Sequence, residues 1–113
     1  MAKIKRYTEL DGGYHGELAF FCLGCNTEHF INDALTTISN LPESHIWTFN
    51  DDFDKPTIRA SILTRIYIQN ENTKVYDVEI NRCHSFITDG SIQYLSDCQH
   101  KLAGQTIELP NIY

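Results

Sequence analysis

Cys83-His84-Ser85-Phe86-Ile87-Thr88-Asp89-Gly90-Ser91-Ile92-Gln93-Tyr94-Leu95 holds two β-prone runs on either side of Asp-Gly. Asp-Gly readily takes the positive φ angles of a tight hairpin turn, so the stretch predicts two antiparallel strands joined at residues 89–90. Working toward the N-terminus, Val75 to Ile80 and Thr57 to Gln69 are rich in Ile, Val, Leu and Tyr and read as strands, with Asn70 to Thr73 as the turn between them. Asn50 to Pro56 is a loop by composition, and its acidic residues Asp51, Asp52 and Asp54 lack the central Gly and closing Glu of a calcium loop. Ile46 to Phe49, Phe30 to Asn32, Tyr14 to Cys22 and Lys3 to Glu9 are further short strand candidates. Asn32 to Ser39 fits either a helical turn or a wide loop. Toward the C-terminus, Cys98 to Ala103 suggests one helical turn ended by Gly104, and Gln105 to Leu109 a last strand before Pro110. The fold class expected is mainly β, a small β-rich or α+β arrangement of about eight short strands, with residues 1–113 forming a single domain.

Cys22-Leu23-Gly24-Cys25 has the two-residue spacing that points two sulfurs at one ion, and Gly24 tolerates the backbone conformation such a turn can require. Cys83 and Cys98 are the only other cysteines, and the hairpin region can bring them together. Four thiols with none left over predict one structural zinc held by Cys22, Cys25, Cys83 and Cys98. His29, His84 and His100 stand close in sequence to these cysteines, and each is an alternative fourth donor in place of Cys98. The expected zinc would stabilise the domain rather than break bonds.

The formal charge of −6 and the pI near 5.2 disfavour a nucleic acid as partner, because phosphate binding needs clustered Lys and Arg. No stretch approaches the ~20 apolar residues of a membrane span. The first residues lack the apolar core of a signal peptide, so the expectation is a reducing, cytoplasmic compartment and thiols free to bind metal.

Side chains able to do acid–base work adjoin the same cysteines: His84 and Ser85 beside Cys83, Asp97 and His100 around Cys98. Zinc binding Cys83 and Cys98 would hold His84 and Asp97 one residue from the metal, where they could orient each other and activate a serine hydroxyl. Ser85 is the weaker choice, since adjacent residues on a strand face opposite ways.

The set Cys22-x-x-Cys25, His29, Trp47, Pro56-Thr57, Ser61, Cys83-His84-Ser85-Phe86, Asp89-Gly90, Asp97-Cys98-x-His100-x-Leu102-Ala103-Gly104-Gln105-Thr106 and Leu109-Pro110 resembles a family of small phage and bacterial zinc-binding proteins known as a domain of unknown function. Members are often labelled ammonia monooxygenase, chemistry for which this chain has neither a copper-type His set nor a membrane span. Relatives in bacterial operons for ubiquitin-like conjugation are regarded as zinc-containing serine peptidases. The resemblance implies Ser61 as nucleophile, His84 as general base, Asp97 as its orienting partner and His100 as a spare base or oxyanion donor. Ala60 stands where the family often has Pro. The implied function is a zinc-stabilised hydrolase acting on a ubiquitin-like or other small protein in a bacterium or in the host of a phage. A non-catalytic zinc-bound interaction module, such as a phage anti-defence factor, and a metal-centred hydrolase are the alternatives.

Overall fold

A computed structural model describes residues 2–37 and 42–112. Among the described residues, eight strands form two antiparallel sheets. The first sheet has the order β1 (Ile4–Arg6), β2 (Leu18–Cys22), β3 (Thr27–Ile31). The second runs β4 (Thr48–Phe49), β5 (Ile58–Ile68), β6 (Val78–Thr88), β7 (Ser91–Tyr94), β8 (Thr106–Glu108). The β-rich expectation holds, and among the described residues helix is confined to single short turns at Glu9–Asp11 and Glu43–His45.

The Asp89-Gly90 hairpin forms as read, with φ of 48° and 82° at its two corner residues. Two expected segments merge: residues 78–88 make one continuous strand where the sequence suggested a break near 81–82. Cys98 to Ala103 turns without becoming helix, and Gly104 takes a φ of 79° as it leaves that turn. Within the ambiguous segment residues 34–35 form a turn and 32–37 hold no helix; Ile38 and Ser39 lie outside the described residues.

One apolar cluster draws on both sheets: Ile4, Leu18, Phe20 and Ile31 from the first, Ile58, Ile62, Ile87 and Ile92 from the second. Strand alternation explains the selection. Along β6, Cys83, Ser85 and Ile87 face inward while His84 and Phe86 lie on the opposite face. In β5 the register with β6 shifts between Ile58 and Ile62, so that Arg59, Ala60 and Ser61 stand against Phe86 alone. This bulge adds residues just where Ser61 sits. The Arg59–Ala60 peptide bond within it is cis.

Arg6 clamps the open end of the first sheet. Its guanidinium makes two 2.8 Å hydrogen bonds to the buried Asp33 carboxylate and a third to Gly16 O. Burial pushes the Asp33 carboxyl up, but the Arg6 hydrogen bonds outweigh it and leave the net pKa lowered. A depressed folded-state pKa contributes stability above the unfolded value of about 4, and that contribution is lost as pH falls through the folded value. Arg6→Met would leave Asp33 buried without its partner, and a loss of about 3 kcal/mol is expected in denaturant unfolding at neutral pH. The loss should shrink on acidification, as Asp33 takes up a proton.

Candidate active site and metal cluster

Cys22 closes β2 and Cys25 follows in the turn to β3, while Cys83 sits mid-strand in β6 and His100 in the loop after β7. These four converge: their donor atoms all lie within 4.8 Å of one another. Cys22 Sγ and Cys83 Sγ are 3.8 Å apart and His100 Nε2 is 3.4 Å from Cys83 Sγ. Tetrahedral zinc with bonds of about 2.0–2.3 Å requires donor separations of roughly 3.3–3.8 Å; these two pairs stand at that spacing, and three thiols with an imidazole are a donor set zinc takes.

His100, rather than Cys98, completes this group. Cys98 Sγ is instead engaged by the β6 backbone, accepting from His84 N–H and donating to His84 O, both at 3.2 Å. The sulfur thus pins the 95–100 loop to His84, and two residues later that loop delivers the His100 ring. The glycine of the knuckle serves a purpose different from the one expected. Gly24 lacks a positive φ; the residue there with one is Asn26, at 55°. A Cβ at Gly24 would overlap the His100 imidazole. Gly24→Ala is therefore expected to displace His100 and weaken metal retention about tenfold or more, read by competition with a chromogenic chelator.

Hydrogen-bond donors surround the sulfurs. Cys22 Sγ meets Tyr94 OH at 3.2 Å and Cys25 N–H at 3.3 Å, and Asn81 Nδ2 donates to Cys25 Sγ at 3.3 Å. Hydrogen bonding with Cys83 pulls the Cys22 thiol pKa well down, against its burial, while the same contact pushes Cys83 up. Burial raises Cys25 and also the Tyr94 hydroxyl, which donates to Cys22. The chain alone thus keeps one thiolate, at Cys22, and holds protons on its neighbours, which a bound dication would displace. Tyr94 and Asn81 escaped the sequence reading because only the register of β6 and β7 shows that they reach the sulfurs. His29 is buried and its ring also favours the Cys22 thiolate, but it is not one of the four donors.

On the opposite face of β6, His84 Nδ1 lies 3.2 and 3.3 Å from the two oxygens of Asp97. That contact holds the ring by Nδ1 and leaves Nε2 available to a reacting group. Leu63 of β5 is directly across from His84 in register. Ile62 is buried against Ser85, and the half-buried Ser61 just before it ends the bulge, where the exposed Ala60 already departs from simple strand alternation. No hydrogen bond joins Ser61 Oγ to His84 among the described residues; the Ser61 carbonyl accepts from Trp47 Nε1 at 3.0 Å. Ser85, as expected from alternation, is turned inward at 1 % exposure, and its Oγ has no hydrogen-bond partner. The acidic loop caps itself, with Asp52 Oδ1 accepting from the backbone N–H groups of residues 54 and 55.

A His–Asp pair on one face of β6 thus backs onto a Cys3His cluster on the other. The chain belongs to the BubE family, the bacterial ubiquitination-like system serine proteases, whose model matches residues 2–95. The matched span contains Ser61, His84 and the three clustered cysteines; Asp97 and His100 lie just beyond it. No curated protein and no solved structure matches the chain. Among the described residues no helix is long and apolar enough to cross a membrane.

Proposed function

We propose that this chain is a serine peptidase that trims or removes a ubiquitin-like protein, with one zinc ion on Cys22, Cys25, Cys83 and His100 holding the site together. The observation that carries this reading is the placement of adjacent residues on β6: Cys83 enters the metal cluster on one face, while His84 meets Asp97 on the other. Family membership supports the reaction class.

In the mechanism, Ser61 Oγ attacks the scissile carbonyl as His84 Nε2 takes its proton. Asp97 holds the proton on Nδ1 and stabilises the imidazolium that forms. His84 then gives its proton to the leaving amine, and water repeats the sequence on the acyl-enzyme. Zinc would supply rigidity alone. Four protein donors fill its tetrahedron, which argues against a metal-centred hydrolase. The four free thiols suit a reducing cytoplasm, whether of a bacterium or of a phage-infected host. The shared core supports a single folded unit over the chain.

A fluorophosphonate probe tests the nucleophile without knowledge of the substrate. The expected result is one adduct per chain on the Ser61 peptide by mass spectrometry, absent after His84→Ala. Absence of an adduct from the folded, metal-loaded protein would favour a non-catalytic interaction module.

A further inference from the structure

Backbone alternation in β5 and β6 decides which way each main-chain polar group points. His84 directs its N–H to Cys98 Sγ and its carbonyl to Leu95 N–H, and Arg82 O accepts from Gln99 N–H. Both residues therefore face away from β5. Cys83 and Ser85 must then face toward it, where their register partners are Thr64 and Ile62. By the same alternation, Leu63 and Arg65 present their N–H and C=O groups to the outer edge of β5.

That edge is open. β4 pairs only with Ile58 and Arg59, and among the described residues no strand continues beyond it. Trp47 marks the start of the open stretch by donating its indole N–H to Ser61 O. From there outward the hairpin leaves the core, and Leu63, Ile66, Tyr67, Ile68 and Val78 are all 38–45 % exposed. A long open edge with apolar flanks is a template for pairing with another extended chain.

We propose that the outer edge of β5 from Leu63 to Arg65 binds an extended peptide segment of the substrate protein as an added strand. The inference rests on the serine-peptidase reading and deepens it, since the edge begins at the nucleophile's own residue. The Leu63 and Arg65 amides and carbonyls hold the peptide backbone, and the apolar arm beyond contacts its side chains. Because Trp47 closes the edge at Ser61, the bound strand extends in one direction only, toward the hairpin tip. Recognition on one side of the scissile bond is thus directed at backbone and tolerant of sequence. Repulsion between chains of net charge −6 weighs against a second copy as the occupant.

The test uses the intact Ser61→Ala chain, metal-loaded and 15N-labelled, with a pool of randomised N-acetylated decapeptides as probe. The expected result is about tenfold slower amide hydrogen exchange at Leu63 and Arg65 with the pool present, while Ile62 and Thr64, already in the ladder, stay unchanged. Arg65→Pro, which removes one outward N–H, should bind the pool about tenfold more weakly than Arg65→Ala. Absence of protection, or protection elsewhere, would overturn the proposal. Concentration-dependent protection without peptide would also overturn it, in favour of self-association. Fluorophosphonate labelling needs no peptide, and peptide binding needs no nucleophile, so the two readings fail separately.

Discussion

Cys83→Ala is expected to abolish metal binding and leave the chain largely unfolded at 25 °C. Two accounts of this buried sulfur differ widely in magnitude. As a small apolar side chain packed beside Cys22 and Tyr94, its truncation should remove only about 1–2 kcal/mol, lowering Tm by roughly 5–15 °C. As one of four donors to a structural zinc, it shares in a binding free energy of roughly 10 kcal/mol, comparable to the whole stability of a chain this size. Elemental analysis and circular dichroism of wild-type and variant separate these accounts, and strong chelation of the wild type should reproduce the variant. Metal affinity should also fall as pH falls, because thiols bind a metal ion only after losing their protons. Cys98→Ala offers the contrast. It should keep its metal while loosening the loop that carries Asp97, since its sulfur bonds only the His84 backbone.

Ser61→Ala should reduce turnover of a ubiquitin-like fusion by about 10⁴-fold or more, with folding and metal content intact. With Ser61 as the proposed nucleophile, its removal would leave only oxyanion stabilisation and binding to assist water, hence the large effect. Asp97→Asn is a second probe of the same machinery. It would keep the shape of the His84 contact but favour the wrong tautomer, so kcat should fall by about 10³–10⁴-fold with KM little changed. A drop confined to KM would instead make Asp97 a binding residue.

Much of the fold was legible because its signals are local. Asp89-Gly90 specified a turn by φ alone, and the Ile-rich runs around it had no competing helical period. The metal cluster was legible to three donors, since Cys22-x-x-Cys25 is a spacing and Cys83 had to be near it. The fourth was not. Cys98 and His100 are two residues apart on one loop, and the choice between them depended on an event outside that loop, the capture of the Cys98 sulfur by the His84 backbone. Gly24 shows the same limit: its steric role is visible only once the His100 ring stands beside it. The His84–Asp97 contact was anticipated by reasoning from a shared metal tether. It forms by another route, through the Cys98 sulfur and the β7 hairpin.

The bulge opposite Phe86 carries a constraint on how such chains can change length. Because alternate residues face opposite ways, one extra residue in β5 between Ile58 and Ile62 would turn every side chain on one side of the insertion to the wrong face. The bulge sets three residues against one, a surplus of two, and so Ile58 and Ile62 both still point into the core. Cys83 and His84 on β6 obey the same parity, one sent to the metal and the other to Asp97. Insertions and deletions between Ile58 and Ile62 should therefore survive only in even numbers, whereas farther out, where Ile80 is a single extra residue of β6 opposite Ile66 and Tyr67, and in the hairpin tip at residues 69–77, length is free to vary by any count.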